Sequence, residues 1–117
     1  RFLALVYSDD DGETWSSWRL TTIHGSPGHM LGLRDGRIFL TVVARWEGQR
    51  GCVARVLTPE GTDLDTTPEL VIRDDALSPD CGYPWSVELN DGRVLVVYWY
   101  HYADDHQGIE GTIVEEI

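Results

Sequence analysis

Two short stretches of the sequence are nearly identical. LRDGRIFL spans Leu33 to Leu40 and LNDGRVLV spans Leu89 to Val96, so the two lie 56 residues apart. Both contain Asp-Gly, the strongest short signal for a β-hairpin, because a two-residue turn of the primed type requires positive φ at its central positions. We therefore expect two hairpins of the same kind, each joining a pair of strands.

The repeat extends beyond the hairpins. At the same offset of 56 residues the apolar positions match in pairs, which are Leu31 with Val87, Leu33 with Leu89, Ile38 with Val94, and Val53 with Ile109. A repeat of about 50 residues with four strands is typical of a β-propeller blade, a small sheet whose two faces pack on neighbouring sheets. The repeat therefore predicts equivalent sheets packed face to face.

The rest of the chain consists of short apolar runs rich in β-branched and aromatic residues, and no window keeps a helical spacing. We predict an all-β chain with nine strands: Phe2–Tyr7, Trp18–Ile23, His29–Leu33, Arg37–Ala44, Cys52–Thr58, Glu69–Arg73, Trp85–Leu89, Arg93–Tyr100 and Ile109–Glu115. The run VLVVYWY, from Val94 to Tyr100, is apolar throughout, which predicts a strand buried on both faces. An isolated sandwich, with one face in water, fits this run poorly.

Composition excludes some classes of partner. The chain has 117 residues, of which 42% are hydrophobic, so it can bury a core as a single unit. Its net charge of −11 disfavours nucleic acids and anionic membranes. The two cysteines, Cys52 and Cys81, lack the spacing of a zinc site, and free thiols are favoured over a single bridge. No run is long enough to cross a bilayer and no signal peptide is recognisable, so the compartment stays open.

The stretch SDDDGETW follows the first predicted strand. A solvated loop explains three aspartates, but it does not explain a tryptophan, which normally packs against other groups, so we expect this loop to fold back onto a sheet. The stretch satisfies the pattern S-x-D-x-G-x-T-W with Ser8, Asp10, Gly12, Thr14 and Trp15. It therefore resembles the Asp-box of the sialidase and BNR-repeat superfamily.

The resemblance implies a structural role for these residues. In that family the box is the turn between the third and fourth strands of a blade and faces away from the active site. Its Asp and Thr hold the turn by side-chain hydrogen bonds, its Gly takes a strained conformation, and its Trp packs under the blade. A calcium loop is the alternative, but Tyr7 occupies the first ligand position of that motif. We predict no metal ion and no cofactor.

The resemblance covers essentially the whole chain. GSPGHMLGLRDGR and DCGYPWSVELNDGR look like parts of the closing blades of a six-bladed, sialidase-like β-propeller. We therefore expect a partial propeller of about two four-stranded antiparallel blades. Residues 1–23 would supply strands three and four of one blade, 24–74 a complete blade with a degenerate box in TPEGTDL, and 75–117 an incomplete last blade.

The resemblance also implies where a site would lie. Hydrolases of the family bind the substrate carboxylate with three arginines and use an Asp acid/base and a Tyr nucleophile paired with a Glu. Tyr83, just before the first strand of the last blade, matches that Tyr and is the catalytic candidate. The family's active-site face would also gather the substrate-binding candidates Arg45, His24, His29, Asp80, Trp46 and His101, with Ser26 and His106. Such a group suits an anionic or neutral sugar.

Each of these residues also has a structural interpretation. A histidine at a strand start is often a hydrogen-bonded structural residue, and Trp85 and Trp99 suit packing between blades. The histidines and aspartates from His101 to His106 could be metal ligands, but loop solvation explains them better. Where an arginine of the trio is expected, the sequence HGSPGHM offers His24 and His29, which puts sialic acid itself in doubt.

Two classes of function remain. The first is a non-catalytic repeat module that binds a glycan or merely assembles; the second is a glycan-processing enzyme, either a glycoside hydrolase or a polysaccharide lyase. The first is favoured because this chain holds a minority of the family's catalytic set. Unpaired edges at Phe2–Tyr7 and Ile109–Glu115 predict a homo-oligomer, a trimer that rebuilds a six-bladed ring or alternatively a dimer.

Overall fold

The structure, a computed structural model, describes residues 1–117 and contains nine strands and no helix. The strands are β1 (Phe2–Leu5), β2 (Arg19–His24), β3 (Gly28–Gly32), β4 (Ile38–Trp46), β5 (Gln49–Leu57), β6 (Leu70–Arg73), β7 (Gly82–Glu88), β8 (Val94–His101) and β9 (Gln107–Val114). Each strand overlaps one of the nine predicted runs, so the all-β prediction is confirmed. No helix is present that could cross a membrane.

The strands form three antiparallel sheets, none of which is closed. The first sheet contains β1 and β2, the middle sheet contains β3 to β6, and the third sheet contains β7 to β9. One cluster of buried apolar residues lies between the first and middle sheets, and a second lies between the middle and third sheets. The three sheets are therefore stacked face to face. Their assignment as blades of a propeller stays a prediction.

The core between the middle and third sheets is built around aromatic residues. Phe39 of β4 and Tyr98 and Tyr100 of β8 are buried there, and the two tyrosine rings meet edge to face with centroids 5.7 Å apart. Buried tyrosine hydroxyls need hydrogen-bond partners. Tyr98 finds one in Thr112 at 2.6 Å, and Tyr100 donates to the carboxylate of Asp75.

The core between the first and middle sheets is aliphatic, and its buried residues are Ile23, Leu40, Val42, Ala44, Val53, Leu57 and Leu64. Asp65 ties the two sheets together at their edge, because its carboxylate accepts hydrogen bonds from the Thr22 amide at 2.6 Å and from Arg19 at 2.7 Å. Strand β4 lies in the centre of the stack and is buried on both faces, as a strand with a sheet on each side must be.

Both Asp-Gly hairpins form, but the predicted two-residue primed turn is wrong. The amide of Gly36 donates to the Leu33 carbonyl at 2.9 Å, and the Leu33 amide donates to the Arg37 carbonyl at 2.8 Å. These bonds close a three-residue connection in which only the glycine has positive φ. The Asp35 carboxylate stabilises it by accepting from the amide and Nε of Arg37. The second hairpin, Leu89 to Arg93, repeats the same bonds.

The repeat shifts by one residue in the last strand. Val43 pairs with Cys52, and the equivalent Trp99 pairs with Ile109. Ile109 therefore corresponds to Cys52, and the predicted match of Val53 with Ile109 is wrong by one position. A shift of one residue places a side chain on the opposite face of a sheet. Ile109 therefore lies on the face that corresponds to Cys52, which no sheet of this chain covers in the third sheet, and it is 71% exposed, whereas Val53 is fully buried.

Strand β8 is not buried on both faces, which corrects the prediction made from VLVVYWY. Its burial alternates, with Val94, Val96, Tyr98 and Tyr100 buried and the intervening residues only partly buried. The neighbouring Trp85 on β7 is 66% exposed. The physical reason is that β8 belongs to the last sheet of the stack, so no sheet of this chain lies over its outer face.

The turn between β1 and β2 has the hydrogen bonds that the box pattern predicts. The hydroxyl of Ser8 donates to the carboxylate of Asp10 at 2.8 Å, and the amide of Thr14 donates to it at 2.9 Å. The Thr14 hydroxyl donates to the same group. Hydrogen bonds from Thr14 and Ser8 lower the pKa of Asp10 to about 2. Gly12 has a φ of 89°, a conformation that favours glycine.

Trp15 does not pack onto a sheet, so this part of the expectation is wrong. Its side chain is 61% exposed, and its Nε1–H donates to the Gly12 carbonyl of its own turn at 3.1 Å. The degenerate turn in TPEGTDL differs. There the Asp63 carboxylate accepts from the amide and hydroxyl of Thr58, and Leu64 at the end of the turn is only 2% exposed.

Candidate functional site

The connections of the stacked sheets lie at two opposite ends. One end, which we call the site end, contains the connections β2–β3, β4–β5, β6–β7 and β8–β9, because consecutive strands are antiparallel. The SDDDGETW turn, both Asp-Gly hairpins and the β5–β6 connection lie at the other end. All of the sequence-predicted binding residues belong to strands or connections at the site end.

An open pocket of about 610 Å³ lies at the site end. It is lined by Arg1, His24, Gly25, Ser26, Pro27, Arg45, Trp46 and Tyr83. Five of these residues were candidates from the sequence, and they come from the ends of β2 and β4, the β2–β3 connection and the start of β7. No carboxylate lines the pocket, although the chain as a whole carries a net charge of −11. The pocket is therefore locally cationic.

Arg45 provides the central charge of the pocket. Its Nη2 donates to the carbonyl of Cys81 at 3.0 Å, and its guanidinium carbon lies 5.3 Å from the ring centroid of Tyr83. A guanidinium at this distance is attracted to an aromatic ring. Its Nε–H is buried and makes no hydrogen bond within the chain. The side chain is thus held in place by Cys81 and Tyr83, and its unpaired Nε–H is not accessible to solvent.

Tyr83 is placed by an irregularity in β7. The pairing of β7 with β8 shifts register between Gly82 and Trp85, and Tyr83 adopts a φ of 50° in the left-handed region. Such a φ is a real outlier for a bulky residue and is typical of strained functional positions. The ring is 65% exposed. Next to it, Gly82 passes so close to Val43 that an added Cβ would lie 2.3 Å from a methyl carbon.

Aromatic rings form one wall of the pocket. The rings of His24 and Trp46 are stacked, with centroids 4.4 Å apart and planes inclined by 25°. Phe2 lies on the histidine as well, at 5.2 Å. Gly25 allows the chain to approach the middle sheet, because a Cβ there would lie 2.3 Å from the Val43 carbonyl oxygen. Flat aromatic surfaces of this kind can stack against the apolar face of a sugar ring.

His29 lies outside the pocket, between the middle and third sheets. Its Nδ1 is 3.2 Å from the hydroxyl of Ser86, and its ring lies on Trp85 with centroids 4.3 Å apart. Burial lowers the pKa of His29. These contacts match the structural interpretation of this histidine.

Asp80 and His101 belong to a separate network of the β6–β7 and β8–β9 connections. The ring of His101 lies 2.7 Å from the hydroxyl of Ser78 through Nδ1 and 2.8 Å from Asp105 through Nε2. Asp80 accepts a hydrogen bond from Gln107 at 2.8 Å. Neither residue lines the pocket.

His106 is also part of a local contact. Its ring stacks on Tyr102 with centroids 4.1 Å apart, and it hydrogen-bonds Asp104. This contact lowers the pKa of Asp104. No group of three or more His, Cys, Asp or Glu side chains is arranged to hold a metal ion.

Some lining residues and contacts were missed from the sequence. In the sequence, Gly25 and Pro27 indicate only a loop, and no pattern marks Arg1 as a candidate, yet all three residues line the pocket. A charged cluster that joins the middle sheet to the third was also missed. In it Arg73 donates to Asp75 at 2.7 Å and to Glu110 at 3.0 Å, and its guanidinium lies over the rings of Tyr100 and Tyr102. Arg73 and Asp75 are far in sequence from Tyr100, Tyr102 and Glu110, so no local pattern could reveal the cluster.

Cys52 and Cys81 are both free and buried. Burial raises the pKa of the Cys52 thiol to about 12 and also raises that of Cys81. Thiols in this state are poor nucleophiles and poor metal ligands.

The chain was also compared with known proteins. No protein-family model matches it, and no curated protein matches it. It is similar to a solved structure described as an unknown function protein from Dyadobacter fermentans, with 39% sequence identity and a TM-score of 0.88. The match covers 94% of this chain and 30% of that protein's chain. The three-sheet arrangement thus also occurs within a considerably longer polypeptide.

Proposed function

We propose that this chain is a BNR-repeat segment of a sialidase-like β-propeller and that its pocket binds a carboxylate-bearing sugar. The observation that carries the proposal is the pocket itself, in which Arg45, Tyr83 and the stacked pair His24 and Trp46 meet at one end of repeated sheets.

Three findings support the propeller. The middle and third sheets repeat the same hairpin, and the sheets pack face to face as blades do. The turn around Asp10 contains the side-chain bonds expected of an Asp-box. The match to the longer solved structure covers 30% of that chain, which is close to the share that two blades have in a six-bladed ring.

The chemistry of the lining supports an anionic sugar. A guanidinium binds a carboxylate with strong, charge-assisted hydrogen bonds, and Arg45 lines the pocket while its Nη2 donates to the Cys81 carbonyl. The aromatic wall supplies a flat surface for the ring of the sugar. The pocket volume of about 610 Å³ lies within the usual range for small-molecule sites, about 300–1,000 Å³.

The alternative is a glycan-processing enzyme with Tyr83 as its nucleophile. The exposed, left-handed conformation of Tyr83 favours it, because strain of this kind concentrates at functional residues. A neutral phenol, however, needs an adjacent base before it can attack a sugar. No Asp or Glu lines the pocket. Within this chain we therefore propose binding without hydrolysis.

Calorimetric titration of the purified chain with glucuronate and with N-acetylneuraminate tests the proposal. Glucose serves as the neutral control ligand. We expect at least one acid to bind, and glucose to bind more weakly by about tenfold or more, since a hydrogen bond to a charged group contributes about 1.5–3 kcal/mol. Equal affinity for glucose and for both acids would contradict the proposal.

Arginine variants locate the site. Arg45→Gln should weaken binding of the acid by at least about tenfold for the same reason. Arg37→Gln is the matched control, because Arg37 lies in a hairpin at the opposite end and pairs with Asp35. Aryl-glycosides and uronate polymers, used as substrates, test the alternative. Turnover that disappears in Tyr83→Phe would contradict binding without hydrolysis and support an enzyme with Tyr83 as nucleophile.

A further inference from the structure

A serine, a histidine and an aspartate form one hydrogen-bonded row at the site end. Ser78 belongs to the β6–β7 connection, His101 is the last residue of β8, and Asp105 belongs to the β8–β9 connection. Nδ1 of His101 lies 2.7 Å from the Ser78 hydroxyl oxygen, and Nε2 lies 2.8 Å from a carboxylate oxygen of Asp105. None of the three lines the pocket around Arg45. Side chains in this order are the arrangement by which many hydrolases activate a serine.

The two hydrogen bonds of the ring determine where its proton lies. The Asp105 carboxylate can only accept a hydrogen bond, so Nε2 of His101 carries the proton. In a neutral imidazole the other nitrogen, Nδ1, then has a free lone pair and accepts from the Ser78 hydroxyl. The amide of Asp80 donates to the same hydroxyl oxygen at 3.1 Å. Ser78 therefore directs its proton at a base, as a serine nucleophile requires.

Backbone hydrogen bonds hold the two connections in place. The amide of Leu77 donates to the His101 carbonyl at 2.9 Å, and the Leu77 carbonyl accepts from Nη1 of Arg50 at 3.1 Å. The segment next to the serine is thus tied on both sides. The Asp105 amide donates to the Tyr102 carbonyl at 3.0 Å. Asp105 has a φ of 69°, a conformation that Asp and Asn adopt more readily than most residues. The row is therefore positioned by the main chain.

A second serine–histidine pair in the chain has no carboxylate. Nδ1 of His29 lies 3.2 Å from the Ser86 hydroxyl, and Ser86 is only 3% exposed. Burial lowers the pKa of His29. Ser78, by contrast, is partly exposed. Only the pair at the site end therefore combines an oriented base with a hydroxyl that a substrate can reach.

We propose that Ser78, His101 and Asp105 form an esterase site, separate from the sugar pocket. The Ser78 oxygen bonds to the carbonyl carbon of an ester while Nδ1 of His101 takes the hydroxyl proton. The bond from that carbon to the alcohol oxygen then breaks, and the alcohol leaves with the proton. Water attacks the acyl group left on the serine and gives a proton to Nδ1, and the acid leaves as the serine oxygen regains a proton. Asp105 stabilises the imidazolium in both steps.

The surroundings of Ser78 favour a short, uncharged ester such as an acetate. Ser78 lines neither the pocket around Arg45 nor the two smaller pockets beside Arg37 and Arg50, so a long acyl chain finds no cavity in them. The neighbouring carboxylate of Asp80 and the net charge of −11 repel anionic esters. The Ser78 amide donates to no backbone carbonyl, which leaves it free to stabilise the oxygen on which charge develops.

Labelling with an alkyl fluorophosphonate tests the nucleophile on the wild-type chain. The serine oxygen bonds to phosphorus, fluoride leaves, and the imidazole takes the hydroxyl proton. We expect mass mapping of peptides to find the adduct on Ser78 and not on Ser17, an exposed serine without a histidine partner. No adduct, or an adduct only on other residues, would overturn the proposal. This measurement needs no variant, so it does not depend on how a variant folds.

Hydrolysis of p-nitrophenyl acetate measures the reaction. Ser78→Ala should lower the rate by at least about 100-fold, because general-base activation of the nucleophile is worth about 10²–10⁴-fold. Ser86→Ala is the matched control, since it makes the same change beside a histidine that has no carboxylate, and it should keep the wild-type rate. Circular dichroism checks the fold of each variant. A wild-type rate no higher than that of Ser78→Ala would overturn the proposal.

Asp105 acts through His101 and is a positioning residue. Asp105→Asn removes the charge but keeps the size of the side chain and a residue type that tolerates the φ of 69°. We expect kcat to fall by about tenfold or more with KM unchanged. Asp104→Asn removes the same charge one residue away, where it contacts His106, and should keep the wild-type kcat. Equal kcat for Asp105→Asn and the wild type would overturn the three-residue site.

Discussion

Replacing Gly82 with alanine tests how the third sheet is fitted onto the middle sheet. An added Cβ would lie 2.3 Å from one methyl carbon of Val43 and 2.5 Å from the other. Overpacking of this kind costs about 1–3 kcal/mol. Gly82 also has a φ of 113°, and a conformation that L-residues avoid costs about 1–2 kcal/mol more. We therefore expect Gly82→Ala to lower the free energy of unfolding by about 2–5 kcal/mol.

Gly92→Ala is the matched control for the backbone contribution. Gly92 has a φ of 87°, but no atom lies within 4 Å of the position of its Cβ. Gly92→Ala should lower the free energy of unfolding only by the cost of the backbone conformation, about 1–2 kcal/mol. The difference between the two variants therefore isolates the contact with Val43. Val43→Ala removes both methyl groups, so in that background Gly82→Ala should cost at least about 1 kcal/mol less.

Urea denaturation followed by tryptophan fluorescence measures these differences. All variants are compared at one protein concentration, because the stability of an oligomer depends on concentration. Equal losses for Gly82→Ala and Gly92→Ala would refute the argument from close packing. Additive effects of Gly82→Ala and Val43→Ala would refute it as well, since the two residues would then not be in contact.

Three further predictions concern the turns and the thiols. In urea denaturation, Leu64→Ala should lower the free energy of unfolding by about 2–5 kcal/mol because Leu64 is buried. Trp15→Ala should lower it by no more than about 1 kcal/mol because Trp15 is exposed. The reverse order would mean that Trp15 is covered in solution. In the folded chain the pKa of Asp10 is lowered from 3.8 to about 2, so the Asp10 carboxylate stabilises the turn above pH 4, and this stabilisation should be lost as the pH falls towards 2. The NMR chemical shifts of the turn amides report this loss. A titration midpoint at 3.8 would contradict the prediction. Cys52 and Cys81 should react with a thiol reagent only in urea, because burial raises the pKa of both thiols; rapid labelling of the folded chain would contradict this.

Much of the fold could be predicted from local patterns. Nine strands were expected and nine are present, because short β-branched runs bounded by turn residues favour strands whatever they pack against. The Asp-Gly hairpins were expected as well, but their turn type was wrong. The sequence shows that Gly36 can adopt positive φ. Whether Asp35 also adopts positive φ, as a two-residue primed turn requires, depends on the hydrogen bonds that its carboxylate makes with Arg37.

The candidate site was predicted in part. His24, Arg45, Trp46 and Tyr83 were all expected on one face, and the structure brings them into one pocket because alternate connections of antiparallel strands share one end. His29 was expected in the same group, yet it lies between two sheets beside Ser86. Its position depends on how closely the middle and third sheets pack, and periodicity in the sequence carries no information on that distance.

The strands, the repeated hairpins and the end of the molecule at which the polar and aromatic candidates lie could all be inferred from the amino-acid sequence. These features follow from backbone preferences and from alternation along each strand, which are local properties. The one-residue shift of β9 depends on the tertiary structure, and it places Ile109 on the outer face of the third sheet, where it is 71% exposed. The tertiary structure also decided that Leu64 is buried while Trp15 is not, because burial depends on which sheet lies above a turn.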